Sequence, residues 1–207
     1  MATLNDIRVA MNRYRATRLN RDDDLKVAAV AAVFRQGADD AELLFIHRAE
    51  DPRDPWSGHM AFPGGRVEPG DRHTLATAMR ETREEVGLDL GAEARFLGRL
   101  SDVAAVGRGR PLPLVIEPFV FALTGDVGLE PNREVAEIVW VPVGFLLDRG
   151  RRSTVPWKHG EMTVQLPCYR YQGHVIWGLT FGMVDELLEL LDGSGGGGRW
   201  MDPREEL

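Results

Sequence analysis

Over the first two dozen positions the apolar residues Leu4, Ile7, Met11 and Tyr14 recur at three- and four-residue steps with arginines between them, which predicts an amphipathic helix. Such a face packs either on the body of the protein or on a second subunit. The charge run Arg21-Asp22-Asp23-Asp24 then reads as a solvated linker, so residues 1–25 form an N-terminal unit. An apolar run from Lys26 to Arg35, a turn over Gln36–Asp40 and a second run from Glu42 to Arg48 predict a hairpin entering a mixed sheet. Ala49 to Gly58 is polar and broken by prolines, as loops are.

A helix is expected to start near Asp71 or Thr74, either of which can cap it, and to end at Gly87. Its predicted buried face carries Leu75, Ala78, Met79, Thr82 and Val86. Further strands are expected at Arg95–Leu100, Val115–Leu123, Glu137–Val141, Met162–Tyr171 and His174–Trp177, and a last helix at Leu179–Leu191. Interleaved strands and helices of this kind predict an α/β or α+β fold over residues 26–192, a mixed sheet with helices against it. The glycine-dominated segment 193–207 reads as a flexible tail.

Composition narrows the function classes. The net charge of −7 argues against a nucleic-acid partner. No apolar stretch approaches the roughly 18–20 residues that span a bilayer, so no membrane association is expected. Cys168 stands alone and reads as a small core residue in a strand; with no signal-peptide pattern, the expected compartment is cytoplasmic.

The chemistry concentrates in Arg80-Glu81-Thr82-Arg83-Glu84-Glu85. Glutamates at i, i+3 and i+4 project from one side of a helix turn, where they repel unless something neutralises them. A hard divalent cation does so, because Mg²⁺ and Mn²⁺ prefer carboxylate oxygen and water. On the helix alone, a solvated acidic face interleaved with Arg80 and Arg83 explains the pattern as well. The preceding Gly64-Gly65 tips the reading to a site, since backbone without side chains can approach a metal or phosphate closely.

These residues resemble the Nudix hydrolases, whose signature is Gly, five residues, Glu, seven residues, then Arg-Glu-aliphatic-x-Glu-Glu-x-Gly-aliphatic. Here Gly65, five residues, Asp71 and eight residues lead to Arg80-Glu81-Thr82-Arg83-Glu84-Glu85-Val86-Gly87-Leu88. Asp71 stands where the signature has Glu, one residue further from the arginine, and Thr82 stands at the aliphatic position. The resemblance implies an enzyme that uses Mg²⁺ or Mn²⁺ to split a diphosphate in a small nucleotide-type substrate. It implies metal binding by Glu81, Glu84, Glu85 and Gly65, while Arg80, four residues before Glu84, can hold that carboxylate in place. A base comes from Glu81 or Glu84, or from a later loop, where Glu134 and Glu137 are candidates beside a purely polar-turn reading.

Arg48, Arg53 and the run Gly58-His59-Met60-Ala61-Phe62-Pro63-Gly64-Gly65 are similar to the motif before the box in coenzyme A pyrophosphatases, and Ile176-Trp177-Gly178-Leu179-Thr180 to their closing segment. That branch implies hydrolysis of coenzyme A or acyl-coenzyme A, with ADP-ribose or another nucleoside diphosphate sugar as the alternative. A Nudix-fold ligand sensor without turnover is a third reading, against which the intact glutamates argue. Arg48 and Arg53 match phosphate geometry, with Gly64 as a backbone contact. His59 is a phosphate contact or a structural hydrogen bond, and Arg108 and Arg110, in a glycine-punctuated loop, are phosphate contacts or, more commonly, surface arginines. Trp56, Trp140, Trp157 and Trp177 stack on a base or, more commonly, fill a core. The apolar N-terminal helix face and the many apolar strand residues motivate a homodimer.

Overall fold

In a computed structural model the chain is described over residues 1–20, 25–52, 54, 56–107, 110–159 and 162–193. The expected linker at 21–24 and the tail at 194–207 lie outside these residues. Strand β1 (Lys26–Gln36) is the centre of the architecture. Its side chains alternate between two cores: Ala28, Ala32 and Phe34 enter one, and Ala29, Ala31 and Val33 the other. A strand covered on both faces needs apolar residues at nearly every position, which is why this segment reads as a continuous run.

β1 turns back into β2 (Ala41–Arg48) and also pairs in parallel with β7 (Arg110–Leu123). β3 (Met60–Ala61) and β4 (Gly64–Arg66) join β2 and β1. β5 (Ala94–Arg99) and β6 (Val103–Gly107) pair with β7, and β8 (Val135–Pro142) with β2. Among the described residues this makes one eight-stranded mixed sheet. A second, antiparallel sheet holds β9 (Arg152–His159), β10 (Met162–Tyr171) and β11 (His174–Trp177). Cys168 on β10 is buried, as expected of a core thiol.

Helices cover both faces of the large sheet, as the α+β expectation requires. On one face α2 (Thr74–Val86) and the short α3 (Leu90–Glu93) bury Ala78, Val86 and Leu90. On the other, α1 (Leu4–Arg13), α4 (Val143–Leu147) and α5 (Gly178–Asp192) contribute Ile7, Met11, Leu146, Phe181 and Leu187. No helix among the described residues is long and apolar enough to cross a membrane.

Three expectations are corrected. The N-terminal helix is ten residues long and starts with a Thr3–Asp6 capping box. It stops at Arg13 because the next residues are held extended by the main body: Thr17 N–H donates to Ser101 Oγ at 3.0 Å, and Asp102 N–H to the Thr17 carbonyl at 2.9 Å. Its apolar face closes on α5 and β5 within the chain, the first of the two packings expected of it. The expected loop around Arg110 is instead a hairpin in which Gly107 opposes Arg110, while Arg108 lies outside the described residues. β9 went unpredicted because Arg152, Lys158 and Pro156 interrupt any apolar alternation; pairing with β10 creates it.

If α1 is part of the folding unit, Ile7→Ala, which empties a position only 1% exposed, should cost about 2–5 kcal/mol in urea unfolding. A loss below about 0.5 kcal/mol, the level of an ordinary surface substitution, would show the helix to be an appendage.

Candidate active site

Helix α2 begins at Thr74, and its cap lies between the two expected ones. His73 is the N-cap, its Nδ1 accepting from Ala76 N–H at 3.0 Å, while the Thr74 hydroxyl donates to Glu117 at 2.9 Å. Asp71 is thereby left for another task. Its two carboxylate oxygens take a bidentate fork from Arg80 Nε and Nη2, each at 3.0 Å, and Oδ2 also accepts from the Thr77 hydroxyl at 2.9 Å. The Arg80 guanidinium holds Asp71 well below the usual carboxylate range. At the other end Gly87 adopts φ 75° and closes the helix, as expected.

The buried stripe of α2 is Thr77, Ala78, Thr82, Glu85 and Val86, with Leu75 and Met79 only half-buried. Thr82 fits the core because its hydroxyl donates back to the Ala78 carbonyl at 2.7 Å. Glu85 is the departure from the expected surface cluster: it is 3% exposed, Glu81 is half-buried and Glu84 is exposed. The three carboxylates therefore form a gradient from core to solvent.

Electrostatics follow that gradient. Burial pushes Glu85 up to about 8, against the Gly64 N–H, which donates to it at 2.8 Å, and the charge of Arg48. Burial also raises Glu81, while Arg80 opposes the rise. Arg80 Nη1 reaches Glu81 at 3.0 Å and Glu84 at 3.3 Å, so one arginine oriented by Asp71 serves two of the glutamates. The negative charge is still incompletely matched at the buried end.

The two glycines make this approach possible. A Cβ on Gly65 would lie 2.4 Å from the Glu81 carboxylate carbon, and one on Gly64, whose φ is 154°, would lie 2.3 Å from the Ala29 carbonyl oxygen. The Glu81 and Glu85 carboxylates thus stand directly against side-chain-free backbone. Clustered carboxylate oxygens beside an accessible backbone segment, with raised pKa values that a cation would reverse, fit a hard divalent ion.

The remaining predicted residues divide. Arg48 lines the same cleft, but its Nε and Nη2 hold Asp54 at 2.9 and 2.6 Å and its Nη1 stands 3.8 Å from Glu85, so it ties the loop to the buried carboxylate. Arg53 lies outside the described residues. His59 is half-buried with its ring 4.9 Å from that of Trp177, and burial lowers its pKa. Glu134 is exposed at the start of β8; the preceding loop is pinned to α2 by Asn132 N–H on the Glu85 carbonyl, and its charge adds to the rise at Glu85. Glu137 is not brought to α2. It faces His174, 3.2 Å away.

From Gly64, Gly65 and Arg66 a cleft of about 640 Å³ runs toward the second sheet, a size ordinary for small-molecule sites. Its far walls are apolar: Trp56, Trp157 and Trp177 with Leu114, Leu166 and Met183. Three of the four tryptophans weighed in the sequence thus face one space, while Trp140 instead lies under the Arg35 guanidinium at 4.2 Å. Leu166 and Met183 were missed, since no local pattern distinguishes a cleft wall from a core.

A family model for the NUDIX domain matches residues 25–161. An uncharacterised protein of Schizosaccharomyces pombe is 40% identical over 108 residues, covering 51% of this chain and 33% of that one. The human mitochondrial coenzyme A diphosphatase NUDT8 is 31% identical over 154 residues, covering 72% of this chain and 62% of its own. The chain therefore spans between a third and two thirds of the length of these two relatives. Among solved structures, a MutT/nudix family protein from Enterococcus faecalis has a similar fold, with a TM-score of 0.53 at 17% identity over 93% of this chain and 74% of that one. With its glycine-lined strand, its Arg80–Glu85 helix and a family-model match over most of its length, the chain belongs to the Nudix family.

Proposed function

We propose that the chain hydrolyses a diphosphate linkage in a nucleotide-type substrate with the help of Mg²⁺ or Mn²⁺. We further propose that this substrate is coenzyme A or an acyl derivative, split by water into 3′-phosphoadenosine 5′-phosphate and the corresponding phosphopantetheine. One observation carries the reading: a single cleft runs from Gly64 and Gly65, against which the Glu85 and Glu81 carboxylates stand, to an apolar end with three tryptophans, suited to a long, weakly polar arm. A nucleoside diphosphate sugar offers no such arm. The coenzyme A diphosphatase name of the human relative supports the same choice.

In this reading Glu81, Glu84, Glu85 and the Gly65 backbone hold the divalent ion. When bound, that ion supplies electrostatic stabilisation to the diphosphate oxygens and eases deprotonation of water. Arg80 positions Glu81 and Glu84 and does not touch substrate. Glu134, exposed and anchored beside the end of α2, accepts the proton of the attacking water. Gly64 leaves room for a phosphate beside the strand, and His59, kept neutral by burial, borders the arm. Arg48 and Arg53 carry the positive charge of the loop; Arg53 is assigned on sequence grounds alone. The apolar walls keep bulk water from the arm.

Chromatographic product analysis after incubation of coenzyme A, ADP-ribose and UDP-sugars with the chain and Mg²⁺ or Mn²⁺ tests the substrate. Coenzyme A should be cleaved with the highest kcat/KM. Leu166→Asp should lower that value about ten- to a hundredfold, the equivalent of exposing one leucine-sized contact. Cleavage of a nucleotide sugar alone, untouched by Leu166→Asp, refutes the coenzyme A assignment and leaves the diphosphate chemistry standing.

Glu134→Gln should lower kcat by about 10²–10⁴ with little change in KM, as removal of a general base does. Unaltered kcat would move the proton-accepting role to Glu81 or Glu84.

Glu85→Gln keeps an acceptor for the Gly64 N–H and removes a buried charge. Because the folded-state pKa of Glu85 is raised to about 8, the native metal-free protein holds a proton there that the unfolded chain releases above about 4.5. That group's contribution to stability therefore falls as pH rises between these values. The variant should melt like wild type near pH 4 and higher by at least about 2–4 °C near pH 8 without metal, while losing the melting-temperature increase on adding Mn²⁺. A lower melting temperature at pH 8 would show that Glu85 is charged and satisfied without a cation.

A further inference from the structure

One group of donor side chains among the described residues lies apart from α2 and has no part in the diphosphate chemistry: His47, Glu137 and His174. They come from three strands. His47 on β2 and Glu137 on β8 are register partners across the large sheet, beside the bulge at His47/Arg48. His174 opens β11 of the second sheet, immediately after the tight turn in which Gln172 and Gly173 both have positive φ. That turn swings the imidazole over the edge of the large sheet, placing Nε2 3.2 Å from Glu137 Oε2. The two imidazoles meet edge to face with centroids 5.3 Å apart, and one ligand atom from each of the three residues lies within 4.8 Å of the others.

We propose that these residues form a Zn²⁺ site that fastens the second sheet to the first. An ion pair alone would need only one histidine beside Glu137, whereas here two converge on the same point. Two imidazole nitrogens and a carboxylate oxygen suit a borderline ion such as Zn²⁺ and not Mg²⁺. Ligands at about 2.0–2.1 Å from a tetrahedral zinc stand a little over 3 Å apart; the His174–Glu137 pair already has that spacing, and the His47 ligand atom lies within 4.8 Å of both. His47 Nε2 lies 3.1 Å from the Gly58 carbonyl, the kind of backbone hydrogen bond that fixes the tautomer and orientation of a metal-bound imidazole, and this leaves the other ring nitrogen for a ligand. A recess of about 480 Å³ opens over the three residues and admits water as the fourth ligand.

The site's position gives it a structural consequence. β11 runs from His174 directly to Trp177, which lines the cleft and lies against His59. An ion at the start of β11 therefore fixes a wall of the cleft from outside it, without contributing to the glutamate helix.

The test is a Zn²⁺ titration of the full, metal-stripped chain against a chromophoric chelator in excess Mg²⁺, with Co²⁺ absorption as the report on ligand geometry. One equivalent of Zn²⁺ should bind, weakened at least tenfold by His174→Gln, His47→Gln and Glu137→Gln and unchanged by Glu84→Gln. Zn²⁺ should also raise the melting temperature of wild type and not that of Glu137→Gln; this exposed substitution keeps the test valid even if a histidine variant folds poorly. Three results overturn the proposal: no binding, binding that the three variants leave intact, or binding lost only in Glu84→Gln, which would place the ion on the glutamate helix. None depends on which diphosphate the enzyme cleaves.

Discussion

The geometry of the glutamate helix depends on how closely β4 approaches α2, and two absent side chains set that distance. With a methyl at residue 64 the strand could not lie against β1, because the carbon would be 2.3 Å from the Ala29 carbonyl oxygen. With one at residue 65 the Glu81 carboxylate would be displaced. Once the strand is seated, the Gly64 N–H becomes the hydrogen-bond donor that Glu85 needs in the core. Burial of Glu85 then follows from packing, since its helical position lies on the same stripe as Ala78, Thr82 and Val86.

That burial creates a charge problem which the chain solves only in part. Arg80 is the principal cation, and its planar fork is fixed on one edge by Asp71, leaving the remaining nitrogen to meet Glu81 and Glu84. A lysine could supply the charge but not the orientation. Arg48 supplies a second cation at the buried end, at 3.8 Å, while its stronger contacts hold Asp54. Burial raises Glu81 and Glu85 against the pull of these arginines, and a bound cation would act in the arginines' direction.

The parts of this arrangement legible in the sequence are those set by local chemistry. β1 announces itself because both its faces are buried, and Gly87 marks the end of α2 because a left-handed residue is needed there. The Gly-Gly pair and the glutamate spacing could be read for the same reason. What could not be read depends on tertiary partners. Nothing near Asp71 reveals that it will orient an arginine nine residues on while His73 caps the helix. Glu85 reads as one of three equivalent acids, because the strand that covers it comes from twenty-one residues earlier. β9 acquires its character only from β10, and the sorting of the tryptophans into Trp56, Trp157 and Trp177 on the cleft and Trp140 outside it requires both sheets in place.

That sorting divides the walls of the cleft along the chain. The family-model match ends at residue 161, and it contains every residue of the glycine strand and the glutamate helix. Half of the apolar wall lies beyond that boundary: Leu166 on β10, Trp177 at the end of β11, and Met183 on α5. Thr180, also beyond it, donates to the Met60 carbonyl at 2.9 Å and so joins α5 to the strand that leads into the glycines. The small sheet and last helix therefore shape the space next to the glycine strand and the glutamate helix. Substitutions in residues 162–193 would therefore reshape one half of the apolar wall while leaving the glycine strand and the glutamate helix unaltered.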